Sequence, residues 1–142
     1  MISFSKALEI IKKNVKKNKK CEKIKTENSI SRIPFKNYFS KNNYPEFDNS
    51  AMDGVVINKN DYSLNKTYKI VDEIKAGDKK SAELKRNESK LIFTGAPIPG
   101  KNKKIVIPIE EVKFIEKKIF KISKDFIPRN FIRQKSSDIK IG

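Results

Sequence analysis

The chain has no histidine, no tryptophan and a single cysteine, Cys21, among its 142 residues. Without histidine it cannot form a Ser/His/Asp or Cys/His set for nucleophilic catalysis, or a metal site that uses histidine. One cysteine cannot form an internal disulfide, so a reducing cytoplasm is the simplest expectation for its compartment.

Long apolar stretches are absent as well. Hydrophobic residues make up 37% of the chain and occur in short runs of Ile, Val, Leu and Phe. No run approaches the roughly 20 residues that a membrane-spanning helix needs. The N-terminus lacks the apolar core and small-residue cleavage site of a signal peptide. We therefore expect no membrane partner, and a chain of this length suits one domain or two small lobes.

Arginine is scarce although the chain is strongly basic, with 29 Lys, 4 Arg and a net charge of +16. A basic surface attracts nucleic acid by releasing counterions, but surfaces that bind phosphates usually use arginine for bidentate contacts. The abundant residues Lys, Ile and Asn share AT-rich codons, so a biased genome accounts for this composition. A basic nucleic-acid-binding domain is the weaker alternative.

Apolar periodicity predicts an N-terminal helix followed by several strands. The helix is predicted from Ser3, as N-cap, to about Lys17. It rests on apolar residues at helical spacing: Phe4, Ala7, Leu8, Ile11 and Val15. The main predicted strands are Gly54–Ile57, Thr67–Ile74, Lys90–Phe93, Ile105–Ile107 at an edge, and a hairpin of Val112–Ile115 and Lys118–Ile122. Between helix and strands we predict a short strand near Lys23–Thr26 and a helical turn near Ser29–Ile33. Turns are predicted at Ala76–Asp78 and Asn87–Ser89.

Lysine and arginine are missing from three stretches, residues 42–58, 91–100 and 105–112. Polar loops beside buried strands often bind ligands, because the sheet holds them steady. In the first stretch Asp53 precedes Gly54, whose backbone freedom would aim the carboxylate outward. This carboxylate can accept hydrogen bonds from an amine or a hydroxyl, or hold water around a cation. A turn capped by Asp48 and Asn49 is the plainer alternative.

The second stretch places a hydroxyl and two small residues in a proline-stiffened loop. Thr94 ends a predicted strand, and Gly95 and Ala96 would let a ligand approach the backbone, where successive amides can cradle an anion. The loop lacks the lysine and the spacing of a P-loop. A connection without chemistry stays open as the alternative.

The eight residues Phe47-Asp48-Asn49-Ser50-Ala51-Met52-Asp53-Gly54 resemble the signature of the molybdopterin molybdenumtransferase family, which is MoeA-like and includes the E domain of gephyrin. Partial matches follow in the family's order: Phe93–Pro99, Ile105–Glu110, Asn130–Arg133 and Asp138–Ile139. The resemblance implies an α+β fold, mostly β, with an N-terminal amphipathic helix. Residues 1–43 would form the helix and part of an elongated linking domain. Residues 44–142 would form a β-rich, barrel-like substrate-cleft domain.

The resemblance also implies an enzyme that inserts molybdenum from molybdate into adenylated molybdopterin, releases AMP, uses Mg²⁺ and works as a homodimer. By position it implies catalytic roles for Asp53 and Thr94. The implied substrate-binding residues are Asn49, Ser50, Asp53, Thr94, Gly95 and Asp138. No metal ligand is implied in this chain, because the family's α/β domain, which carries most metal and substrate contacts, has no counterpart here.

The chain departs from the family at two serine positions. Ser31 stands where the family usually has glycine, and Ser136-Ser137 replaces glycine-glutamate before Asp138. The chain also stops at Gly142 without a closing element, so we expect a piece of a larger protein that is inactive alone. A non-catalytic module that binds molybdopterin or docks on a separate catalytic chain is the alternative.

Overall fold

The computed structural model describes residues 1–16, 20–79, 82–101 and 103–142. The chain divides into two units, Met1–Tyr38 and Phe39–Gly142. The division of the family's domains between residues 43 and 44 stays a prediction.

The first unit contains the predicted helix, α1, at Phe4–Asn14. Ser3 caps it as predicted, since its hydroxyl oxygen accepts a hydrogen bond from the Lys6 N–H at 3.3 Å. Lys17, the predicted end of the helix, lies outside the described residues. None of the helical residues is buried. Across the described ranges, no helix is long and apolar enough to cross a bilayer.

The strand predicted near Lys23–Thr26 is wrong. Residues 21–25 form no regular structure, and a 3-10 turn covers Thr26–Asn28. The described part of this unit offers no neighbouring strand to supply hydrogen bonds, and an isolated strand is not stable in water. The helical turn predicted near Ser29–Ile33 is wrong: the segment is a β-turn, closed by the Arg32 N–H on the Ser29 carbonyl at 3.0 Å, and Ser31 has a φ of +64°.

The second unit is a curled β-sheet, so the predicted α+β, mostly β fold is confirmed. Its strands are β1 Asn49–Ser50, β2 Gly54–Asn58, β3 Thr67–Ile74, β4 Glu88–Ile92, β5 Lys104–Pro108, β6 Val112–Glu116, β7 Ile119–Ile122 and β8 Ile132–Arg133. Six of them form one sheet in the order β5-β2-β4-β3-β7-β6, and β1 and β8 form a small separate pair. Strands β3 and β4 run parallel, and the other neighbours are antiparallel.

Most strand predictions are confirmed, with one shift at β4. The β6–β7 hairpin and the edge position of β5 agree with the sequence pattern. The turn predicted at Asn87–Ser89 ends at Asn87, which has a φ of +65°. Glu88 and Ser89 already belong to β4, because they pair with Lys69 and Ile70 of β3.

The sheet has a hydrophobic core on each face. On one face Tyr68 and Phe120 stack with ring centroids 5.3 Å apart among buried residues. On the other face Val56, Ile92 and Val106 pack against residues of two loops, which contribute Leu84 and Ala96. This second core therefore anchors the loop that carries Thr94.

Candidate functional site

The structure brings Asp53 and Thr94 into direct contact, although they are 41 positions apart in the sequence. The Thr94 N–H and the Thr94 hydroxyl both donate hydrogen bonds to Asp53 Oδ1, each at 2.7 Å. Both side chains are exposed to solvent. The two residues predicted to be catalytic thus form one accessible polar site.

Strand register explains the contact. Gly54 of β2 lies opposite Ile92 of β4 in an antiparallel pair. Because the two strands run in opposite directions, Asp53 before Gly54 and Thr94 after Ile92 lie at the same edge of the sheet. Gly54 is also required by close packing, because a Cβ there would lie 1.9 Å from the Ile107 carbonyl oxygen of β5. The backbone of Asp53 is fixed too, since its carbonyl accepts the Ile109 N–H at 3.0 Å.

The contact makes the pair a hydrogen-bond acceptor. The side-chain hydrogen bond from Thr94, with its backbone N–H as the second cause, lowers the pKa of Asp53 below its ordinary value of 3.8. Asp53 Oδ2 has no donor within the described ranges. The Thr94 hydroxyl has given its only proton to Asp53 and retains acceptor lone pairs. The pair therefore suits an N–H or O–H donor or a hydrated cation, and it disfavours a bare oxyanion.

The anion cradle predicted at Thr94–Ala96 does not form. The Thr94 N–H donates to Asp53, the Gly95 N–H to the Ser50 carbonyl at 2.8 Å, and the Ala96 N–H to the Phe93 carbonyl at 2.9 Å. All three donors are consequently used within the chain. Gly95 has a φ of +82°, a backbone conformation that residues with a side chain rarely adopt. This conformation turns the loop towards β1.

Asn49 and Ser50 lie beside the pair in β1, and their side chains hold the predicted turn. Asn49 is 7% exposed and its amide donates to the Phe47 carbonyl at 3.3 Å. Ser50 is fully buried and its hydroxyl donates to the Met52 carbonyl at 2.6 Å. The local side-chain bonds are thus made by Asn49 and Ser50, so the predicted cap is confirmed for Asn49 and wrong for Asp48, whose carboxylate bonds a distant segment. The substrate contacts of Asn49 and Ser50 stay predictions.

Asp138 lies in a different segment. Its carboxylate pairs with Arg133 at 2.6 Å and accepts the Ser137 hydroxyl at 2.9 Å. Arg133 lies opposite Asn49 in the β1–β8 pair, and Asn49 also bridges Pro97 of the Thr94 loop. No contact within the described ranges joins Asp138 to Asp53 or Thr94, so its substrate role stays a prediction.

The side chain of Asp48 links this segment to the turn, which the sequence pattern did not reveal. Asp48 Oδ1 accepts the Lys135 N–H at 2.7 Å across 87 positions. The Asp48 carbonyl also accepts the Ile98 N–H at 3.0 Å from the Thr94 loop. Only its place in a turn-forming motif indicated a structural role, and its distant partner had no sequence signal.

Acidic side chains do not cluster into a metal site among the described residues. In the part of the chain that the structure describes, no group of three or more His, Cys, Asp or Glu side chains could hold a metal ion. Mg²⁺ needs octahedral coordination, commonly from one or two carboxylates with water and phosphate oxygens. Asp53 offers one carboxylate, which is at most one ligand of such a site.

Comparisons with known proteins agree on one family. A family model described as the MoeA N-terminal region (domain I and II) matches residues 2–142. A curated relative, the molybdopterin molybdenumtransferase of Haemophilus influenzae, is 29% identical over 121 residues, which cover 85% of this chain and 30% of that protein. The chain therefore spans less than a third of the length of this relative.

Two solved structures of molybdopterin biosynthesis MoeA proteins from Pyrococcus horikoshii are similar in fold. One has 27% identity and a TM-score of 0.67, over 99% of this chain and 37% of that chain. The other has 22% identity and a TM-score of 0.75, over 100% of this chain and 38% of that chain. The second likeness, at its lower identity, supports the fold alone.

Proposed function

The chain belongs to the family described as the MoeA N-terminal region, and we propose on this basis that it acts in molybdenum cofactor biosynthesis. In this proposal it supplies one wall of the cleft in which molybdenum from molybdate is inserted into adenylated molybdopterin, with release of AMP. The observation that carries the proposal is the exposed Asp53–Thr94 pair, formed by the two motifs that resemble this family.

The chemistry of the pair suggests which part of the substrate it holds. Asp53 and Thr94 present acceptors, so they would bind N–H or O–H groups of the pterin and orient it. Molybdate carries only acceptor oxygens at neutral pH, and the Asp53 carboxylate would repel it. Molybdate and the phosphate of AMP would need donors and cations from elsewhere in the cleft.

This division of roles also explains why we propose that the chain is inactive alone. The α/β domain expected from the resemblance would supply the groups for the anions and most ligands of Mg²⁺. A homodimer would bring the β-rich wall of one subunit to the α/β domain of the other. The chain spans 30% of the curated relative, and the Asp53 carboxylate, itself an anion, cannot offset the negative charge of molybdate or of the phosphate.

Binding of adenylated molybdopterin to the purified chain tests the role of the pair. We expect Asp53→Asn and Thr94→Val to weaken binding about tenfold, in line with the loss of a charge-assisted hydrogen bond. Asp125→Asn is the matched control, because Asp125 is exposed and its side chain makes no hydrogen bond or ion pair within the described ranges. Equal weakening by Asp125→Asn would show that general charge, and not this site, governs binding.

A molybdenum insertion assay tests activity and separates the two functional alternatives. The chain alone should show no turnover, and turnover without a partner would contradict the proposed inactivity. Adding the remaining part of the Haemophilus influenzae relative as a separate chain should restore insertion if this chain is one wall of an enzyme. Binding without restored insertion would favour the alternative, a non-catalytic module.

A further inference from the structure

A polar cleft, separate from the Asp53–Thr94 pair, lies at the C-terminal end of β2. Its volume is about 640 Å³, and it is lined by Asn58, Asn60, Asp61, Leu84, Arg86 and Lys103. Asp53 precedes the first residue of β2, whereas Asn58 is the last. At a rise of about 3.3 Å per residue, the strand places the two sites more than about 10 Å apart.

The walls of this cleft are joined by hydrogen bonds. The amide group of Asn58 donates to the Leu84 carbonyl at 3.2 Å, and the Asn87 N–H donates to the Asp61 carboxylate at 2.8 Å. A 3-10 turn, Lys59–Asp61, follows β2 and connects to the third wall, because the Lys59 N–H donates to the Lys103 carbonyl at 2.9 Å. The cleft is therefore preformed by contacts that do not depend on a ligand.

Two cations face this cleft from different walls. Arg86 and Lys103 are exposed, and neither makes a side-chain hydrogen bond or ion pair with another described residue. The chain has only four arginines, and two of the others, Arg32 and Arg133, pair with acids. Asp61 is the acid in the lining, and its carboxylate already accepts a backbone N–H. The cleft thus has an excess of unused positive donors.

The wall also holds an unused acceptor. The carboxamide oxygen of Asn58 is buried and has no hydrogen-bond partner within the described residues. Buried polar atoms almost always have a partner, which is often a water molecule or a ligand group. Its accessible surface is nearly zero, so this oxygen adds to the polar character of the wall and is not itself open to a ligand in the cleft.

We propose that this cleft binds a phosphate group between Arg86 and Lys103, either as inorganic phosphate or as a monoester of a small hydroxylated molecule. A guanidinium fork matches phosphate oxygens in a bidentate way, and an ammonium adds a second charge. The volume lies within the range of about 300–1,000 Å³ typical of small-molecule sites. The proposal does not depend on the function proposed for Asp53 and Thr94.

An NMR titration of the isotope-labelled chain tests the proposal, with sodium phosphate and ribose 5-phosphate as probes and sodium chloride at matched ionic strength as the blank. We expect saturable shifts of backbone amides at residues 58–61, 84–87 and 103, and none at Thr94 or Gly95. Tighter binding of ribose 5-phosphate would identify a monoester site, and equal binding a site for free phosphate. Shifts that stay linear with concentration would overturn the proposal.

Charge-matched variants separate a site from general attraction. We expect Arg86→Ala to raise the Kd for phosphate about tenfold or more, and Lys103→Ala to raise it as well. Arg129→Ala removes the same charge at an exposed position outside the cleft, and it should change the Kd by less than about twofold. Equal effects of Arg86→Ala and Arg129→Ala would overturn the proposal. So would a short oligonucleotide that binds the cleft amides more tightly than ribose 5-phosphate.

Discussion

The two ends of β2 have opposite chemistry. At its start, Asp53 takes both donors of Thr94 and the pair presents acceptors to solvent. At its end, Asn58 joins two walls of a cleft that presents the donors of Arg86 and Lys103. A net charge of +16 over the whole chain therefore does not say what each site binds. What a site binds depends on which of its side chains have no partner within the folded chain.

The largest effect on stability should come from substitution of Gly54, the first residue of β2. In Gly54→Ala the added Cβ would meet the Ile107 carbonyl oxygen at 1.9 Å, so β2 and β5 must separate. We expect the free energy of unfolding in urea to fall by about 3 kcal/mol or more. Gly77→Ala is the control, because Gly77 has a φ of +90° with no atom within 4 Å of its Cβ, which costs about 1–2 kcal/mol. Equal losses would mean that the contact with β5 is unimportant.

The next largest effect on stability concerns the ion pair of Lys104 and Glu83, beside the C-terminal end of β2. Lys104 lies opposite Asn58, its side chain is fully buried, and its ammonium lies 2.5 Å from the Glu83 carboxylate. Glu83→Gln leaves a buried ammonium without this carboxylate, so we expect a loss of about 3 kcal/mol in unfolding free energy. Lys104→Met should cost less, because the side chain of Glu83 is 41% exposed and its carboxylate can turn to water. A larger loss in Lys104→Met would contradict this account of the pair.

A smaller effect is expected from Asn58→Ala, which removes the amide that joins two walls of the cleft. Loss of its hydrogen bond to the Leu84 carbonyl should lower the unfolding free energy by about 1–2 kcal/mol. Asn60→Ala changes the same cleft at an exposed amide without a described bond, and it should stay within about 0.5 kcal/mol. Because the two ends are separate, the pKa of Asp53 should be unchanged in both variants.

The smallest effect on stability is expected from Thr94→Val, which acts on the pKa of Asp53. The two hydrogen bonds from Thr94 lower this pKa from 3.8, and the variant loses the side-chain bond, which is the larger cause. An NMR titration of the carboxyl carbon should therefore show the pKa of Asp53 rising towards 3.8. Asp72 is an internal control, because hydrogen bonds from the backbone N–H of Glu73 and from the side chain of Lys90 lower the pKa of its carboxyl instead. The pKa of Asp72 should be the same in Thr94→Val as in the unchanged chain.

The sign of the pH dependence follows from this lowered pKa. The carboxylate of Asp53 binds its proton more weakly in the folded than in the unfolded chain, so its stabilising contribution is complete above the unfolded pKa. The contribution is lost as the pH falls through the lower folded pKa. Thr94→Val should therefore unfold with less acid sensitivity below pH 3.8, and an unchanged acid unfolding curve would contradict this assignment.

The resemblance to the family predicted the site at Asp53. The backbone angles show what conformation the chain adopts at two positions where it departs from the family's sequence. Ser31 and Ser136 stand where the family usually has glycine, and they adopt φ angles of +64° and +65°. These are left-handed conformations, which glycine adopts without steric cost. The two serines therefore occupy positions that suit glycine better, at some steric cost.

The cleft at the other end was not predicted. The chain has 29 lysines, so Lys103 carried no signal, and Arg86 lies just before the predicted turn at Asn87–Ser89 and was assigned no role. The lining residues come from three separate segments. Their proximity depends on the pairing of β2 with β4 and β5, which local patterns do not specify.

Local sequence determined the helix cap at Ser3, most strands and the polar composition of the Asp53 and Thr94 loops, because these features depend on residues near one another in the chain. Tertiary structure alone decided that Thr94 donates both hydrogen bonds to Asp53, which turns two polar residues into an acceptor site. It also decided that the amides of Thr94–Ala96 are used internally. Hydrogen-bonding capacity is limited, so only the complete set of partners shows which groups remain for a ligand.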